Sequence, residues 1–182
     1  MIAVLVAASC GAPQKREYII PDDFCRLEIP QTEYSPLFGP GENVKVEYLD
    51  RWGERGVGSQ GCYYFVDGNR TVSVIGSWVE KNDPVGPDTP SEVIKGHNTR
   101  DIPKRYPGPY GVRTWSGGAV GAVDCPRATG DSNASFNRFL VDVYANDTSL
   151  DEHSERAHKV FGKLAQSVMS DVVEKLSCGE NG

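Results

Sequence analysis

The chain has 182 residues and a formal charge of −6, from 19 Lys and Arg against 25 Asp and Glu. With 38% apolar residues, and eight Tyr, six Phe and three Trp among the aromatics, it has one domain's length and enough apolar material for a core, which excludes a multidomain machine and a disordered chain. The acidic balance argues against nucleic acid as a partner, because that affinity comes from Lys and Arg neutralising phosphates.

In chain order, the first element is the apolar stretch Ile2 to Ala8, which runs into Ala7-Ala8-Ser9-Cys10 and then into the polar Gly11-Ala12-Pro13-Gln14-Lys15. The uncharged run is broken by Pro13 and is shorter than the about 20 apolar residues of a bilayer span, so it reads as an export signal. A cysteine directly after small residues resembles the lipobox of bacterial lipoproteins, whose thiol takes a diacylglyceryl group and becomes the first residue after cleavage. On this reading residues 1–9 are a signal peptide, Cys10 is the lipidation site, 10–20 is a lipid-anchored tether and 21–182 is a single extracytoplasmic domain. Each buried CH₂ adds about 0.8 kcal/mol, so several acyl chains, palmitate among them, give a stable anchor to the cell membrane. A plain cleaved secretory signal is one alternative, and a buried strand carrying a free thiol is another.

Short helical turns are expected near Pro21 to Arg26 and Thr32 to Phe38, limited by prolines at 30, 36 and 40. Val44, Val46 and Tyr48 alternate with Lys45 and Glu47 and predict a strand with one wet face. Gly56 to Gly61 matches neither a phosphate-cradling loop nor a nucleophile elbow and reads as a turn. Cys62 to Val66 and Thr71 to Val79 predict a hairpin around Asp67-Gly68-Asn69-Arg70. A second strand pair is expected at Ala119 to Asp124 and Phe136 to Ala145, joined by a polar loop. From Ala157 the apolar residues recur at i, i+3, i+4, i+7 as far as Leu176, with Ser149 and Glu152 as a capping box and Gly179 as the stop. These elements predict an α+β fold in two layers: an antiparallel sheet of about five strands with a long C-terminal amphipathic helix packed on one face.

Setting Cys10 apart leaves Cys25, Cys62, Cys125 and Cys178, an even number that allows three pairings. None has the close spacing of a zinc or redox motif, so structural disulfides are expected in an oxidising compartment, and no metal or cofactor. The favoured pairing joins Cys25 to Cys62 and Cys125 to Cys178, because each pair spans one half of the chain. His97, His153 and His158 form no helical metal pair and are expected on the solvated surface. The sequons at Asn69, Asn133 and Asn146 are explained by turn chemistry.

Between the strand pairs lies a Pro-rich stretch of about 35 residues, Glu80 to Thr114, a length that is usually functional or disordered. It holds the one basic and aromatic concentration of an acidic chain. Arg105, Tyr106, Tyr110, Arg113 and the adjoining Trp115 are the candidate ligand-binding residues, a rim for an anionic or aromatic ligand. The plainer reading is that the aromatics pin a long loop to the sheet. No catalytic constellation stands out. A secreted or envelope hydrolase is the alternative, and a pocket serine within reach of His97 is the observation that favours it.

The lipobox cysteine, a first domain cysteine soon after the tether, a second before the aromatic strand Cys62-Tyr63-Tyr64-Phe65 and a final amphipathic helix together resemble the small actinobacterial lipoproteins of unknown function. The resemblance implies a cell-envelope location, a two-layer α+β domain and no established activity. A similar extracytoplasmic fold serves as the sensor region of some actinobacterial receptor kinases, an analogy that points to ligand or partner binding. The partners expected are therefore the membrane, through Cys10, and a small molecule or envelope protein.

Overall fold

The computed structural model describes residues 15–53, 58–84, 86–127, 136–146, 148, 150 and 154–176. The expected signal peptide over residues 1–9, Cys10, Cys178, His153, Asn133 and the expected capping box at Ser149 and Glu152 fall outside the described residues.

The strands are β1 (Val44–Tyr48), β2 (Gln60–Val66), β3 (Asn69–Val79), β4 (Lys104–Tyr106), β5 (Val112–Trp115), β6 (Gly118–Arg127) and β7 (Phe136–Ala145). They form one antiparallel sheet in the order β1-β2-β3-β7-β6-β5-β4. The sheet thus has seven strands and not about five. The two additional strands, β4 and β5, form from the Pro-rich stretch that reads as a long loop. They are short, and the prolines at 103, 107 and 109 fall just outside them, where no ladder amide is needed. The expected hairpin is present as β2 and β3. Its turn is the pair Asp67-Gly68, with φ of 50° and 82°, the double positive φ that a two-residue hairpin turn requires. The Asp67 carboxylate also accepts the amide of Asn43 at 2.9 Å, tying the turn to the start of β1.

Strand alternation gives the sheet two unlike faces. Val72, Val74 and Trp78 of β3 share one face with Phe139, Val141 and Val143 of β7, and all are buried in the main core. Helix α3 (Ser154–Leu176) covers the β4 to β6 half of this face with Ala157, Phe161, Leu164, Ala165, Val168 and Met169. The segment from Arg16 to Phe38 covers the other half, where Phe24 and Tyr34 stack at 4.7 Å and Tyr64 of β2 packs against Phe24 and Phe38. Helix α1 (Gln31–Tyr34) and a 3-10 turn (Ser35–Leu37) form where helical turns are expected, but Pro21 to Arg26 is not helical. There Cys25 and Arg26 both adopt positive φ, and Phe24 bridges Leu27.

That tight turn delivers Cys25 to Cys62 of β2, and the two form a disulfide with a Cα–Cα distance of 5.4 Å. The Tyr64 hydroxyl accepts the Cys25 amide at 2.8 Å and donates to the Asp23 carbonyl at 3.2 Å, while the Trp52 indole donates to the Cys25 carbonyl at 2.7 Å. A bridge across 37 residues contributes about 2 to 4 kcal/mol by restricting the unfolded chain. Cys125 is buried and also disulfide-bonded, to a partner outside the described residues. At the amino-terminal end the chain is engaged from Arg16 onward: Arg16 bridges Gly41, the Tyr18 hydroxyl donates to the Gly39 carbonyl and Ile20 is buried.

The second face is partly covered too, so the domain exceeds two layers locally. Helix α2 (Pro90–Gly96) packs Ile94 against Trp115 of β5 and Val120 of β6, a small core separate from the main one. Thr89 and Glu92 form a capping box at its start, in which the Thr89 side chain accepts the Glu92 amide and the Glu92 carboxylate accepts the Thr89 amide at 3.1 Å. No helix among the described residues is long and apolar enough to cross a membrane.

Candidate functional site

Residues of opposite parity to the main core line the second face: Arg105 of β4, Arg113 and Trp115 of β5, Val120, Ala122 and Asp124 of β6, and Arg138, Leu140, Asp142 and Tyr144 of β7. Because α2 covers only the part over Trp115 and Val120, a groove of about 640 Å³ is left beside it. One wall is the start of α2, with Thr89, Pro90 and Ser91. The other is the β4–β5 hairpin with Arg105, Pro109, Tyr110 and Arg113, and Ala122, Asp124 and Arg138 contribute from the sheet.

Of the five ligand residues expected from the sequence, the groove brings together Arg105, Tyr110 and Arg113. The other two lie elsewhere. Tyr106 alternates to the main-core face, where its ring lies over Gly162 of α3. Trp115 is only 2% exposed and stands behind α2, stacked on the His97 ring at a centroid distance of 4.9 Å. The two readings offered for these aromatics therefore divide between the residues: Tyr106 and Trp115 pin the stretch down, and Tyr110, which also packs against the main core, borders the groove.

The hairpin wall is held by α3. The Gln166 side chain accepts the Tyr110 amide at 3.3 Å and donates to the Tyr110 carbonyl at 3.2 Å, fixing the turn between β4 and β5 from both sides. Below it, Lys104 pairs with Glu155, and Thr114 Oγ1 meets His158 Nδ1 at 2.7 Å. His158 is buried and not on the solvated surface, because the first turn of α3 lies against β5. Its pKa is pushed down, first by burial and then by Lys104, with Glu155 and Asp101 opposing.

At the far end of the groove the charges cancel. Arg138 Nε donates to Asp124 Oδ1 at 2.9 Å and its Nη1 reaches Asp88 Oδ2 at 3.8 Å, while Lys81 Nζ donates to Asp124 Oδ2 at 2.9 Å. Lys81 and then Arg138 hold the Asp124 carboxyl below the usual carboxylate range, so it stays ionised. Arg105 and Arg113, by contrast, are exposed, and their side chains have no ion-pair or hydrogen-bond partner among the described residues.

His97 also departs from the solvated expectation. It caps the carboxyl end of α2, is half-buried between the rings of Trp115 and Tyr144, and its Nε2 lies 2.7 Å from Asp142 Oδ2. Among the described residues no serine hydroxyl is bonded to it. The His97–Asp142 pair therefore docks α2 on the sheet. Among the described residues no three His, Cys, Asp or Glu side chains converge as a cation site requires.

Arg138, Asp142 and the Thr89 cap are site residues that sequence reasoning misses. The signal for Arg138 and Asp142 is the second set of alternating positions in 136–145, Arg138, Leu140, Asp142 and Tyr144, which reads as a wet face until a helix is known to cover it, and that for Thr89 is the Thr-x-x-Glu spacing to Glu92. Compared with known proteins, the chain matches no family model, no curated protein and no solved structure.

Proposed function

We propose that the chain is a membrane-anchored extracytoplasmic lipoprotein whose single domain captures a ligand or partner in the groove between α2 and the β4–β5 hairpin. The observation that carries the reading is the groove itself: a concavity of about 640 Å³ bordered by Tyr110, with a partly apolar floor and two arginines whose side chains have no partner among the described residues. Two unmatched like charges beside paired ones break a local rule with no compensation in the fold, as functional sites do. The anchor rests on the run of small residues into Cys10. It is supported by the oxidised state of Cys25, Cys62 and Cys125, which fits an oxidising compartment. The Cys125 bond is assigned in this proposal to Cys178.

Purification of the native protein from membranes, with mass spectrometry of Cys10 and of co-purifying small molecules, tests the proposal. Acylated Cys10 is expected, together with release of a Cys10→Ser variant into the soluble fraction. Unmodified Cys10 in protein recovered from the medium would favour the plain secretory signal instead.

A further inference from the structure

We propose that the groove takes a phosphomonoester, with the phosphate held between Arg105 and Arg113 and an apolar or aromatic body along Tyr110 and Ala122; this rests on the reading of the groove as the binding site. Arg105 stands directly opposite Arg113 in the β4–β5 register, and both line the groove. Like charges directly opposed on antiparallel strands are destabilising. In a chain with 25 Asp and Glu, no carboxylate is placed to relieve this pair among the described residues.

The other charges at the groove are balanced: Asp88 and Asp124 face Arg138 and Lys81. Two positive charges are therefore left over, side by side and open to solvent. Guanidinium forks match oxyanions through paired N–H donors. A phosphomonoester carries about −1.5 to −2 charge near pH 7 and three acceptor oxygens, enough for both forks. A single carboxylate or a phosphodiester would leave one charge unmatched. Pro109, Tyr110 and Ala122 beside the arginines offer apolar contact that inorganic phosphate cannot use.

The test is an amide-resolved NMR titration of the full chain carrying Cys10→Ser, with phenyl phosphate, inorganic phosphate, benzoate and phenol as probes. Phenyl phosphate is expected to shift the amides of Tyr110, Gly111, Arg113 and Ala122 and to bind about tenfold or more tightly than each of the other three. The double variant R105Q/R113Q is expected to weaken phenyl phosphate binding by about tenfold or more, with a Tm no lower than that of the parent because the like-charge pair is gone. The single variant R105Q keeps the test open should the double variant unfold, and the same direction is expected of it.

Unchanged phenyl phosphate binding in R105Q/R113Q overturns the proposal, and so does benzoate binding as tightly as phenyl phosphate. Phenol binding in the groove as tightly as phenyl phosphate would overturn the phosphate assignment and leave the groove reading standing, whereas no shift at these amides with any probe would overturn both. Co-sedimentation with phosphatidylcholine vesicles containing phosphatidic acid separates the sources. Binding lost in R105Q/R113Q assigns the phosphate to a lipid headgroup, and phenyl phosphate binding without co-sedimentation assigns it to a soluble ester.

Discussion

Gly162 is where a single atom governs the groove wall. A Cβ there would come within 2.1 to 2.5 Å of the Tyr106 ring, well inside contact distance and against a side chain wedged between helix and sheet. The glycine lets α3 approach β4 closely enough for Tyr106 to fill the gap, and Arg105, on the opposite face of the same short strand, takes its position from that packing. Gly162→Ala is therefore expected to cost about 1 to 3 kcal/mol by overpacking. Chemical denaturation measures the loss, and the amide signals of Lys104 to Tyr106 should move while those of β1 stay in place. In the sequence Gly162 is indistinguishable from a neutral interruption of an amphipathic stripe, because what it accommodates is 56 positions away.

Among the elements, α2 is the one that the sequence hides. Its seven residues are too few for a periodic stripe, and prolines at 84, 87, 90 and 103 mark the region as loop. Yet Pro90 occupies the first helical turn, where no amide is needed, and Thr89-x-x-Glu92 is a complete capping box, so the start signal is in the sequence. What holds so short a helix is tertiary: Ile94 against Trp115 and Val120, and the His97–Asp142 bond between two aromatic rings. Asp142 Oδ1 is already buried without a partner among the described residues, so losing the bond at Oδ2 would leave the whole carboxylate unsatisfied by them. His97→Phe, which keeps a ring between Trp115 and Tyr144, is expected to cost about 2 to 3 kcal/mol, and His97→Phe with Asp142→Leu is expected to recover most of it. Thermal unfolding of the two variants checks this. If the single and double variants unfold together, the pair does not dock the helix.

For the whole molecule, the two halves of the main-core face are closed by different means, α3 over β4 to β6 and the disulfide-tethered segment over β1 to β3. The α3 half carries a buried titrating group. The folded-state pKa of His158 lies below its ordinary 6.5, so in acid the unfolded chain takes up the proton more readily than the folded one. Its contribution to stability is therefore full above pH 6.5 and is lost as pH falls through 6.5 towards the depressed folded value. The nearby carboxylates of Asp101 and Glu155 are held below 3.8 and 4.5 respectively, outside that window. Denaturation midpoints measured from about pH 7 down to about pH 5 should fall for the native chain and fall less for His158→Gln.

What the sequence determined by itself is whatever follows from short-range pattern. The 3.6-residue stripe of α3, the alternation in β1, β3 and β7 and the Asp67-Gly68 turn each fix a local conformation without help, and the pairing favoured among the three that four cysteines allow contained Cys25–Cys62. Tertiary structure decided the rest, because it depends on which side of the sheet is covered. The residues from Glu80 to Thr114 become a helix and two strands only once α3 and the β6–β7 pair give them surfaces to bury against. The same placement divides the basic and aromatic cluster, turning Tyr106 and Trp115 inward and leaving Arg105 and Arg113 side by side at the groove. One-residue alternation in a strand settles which side chains meet, and only the packed sheet shows what waits on each face.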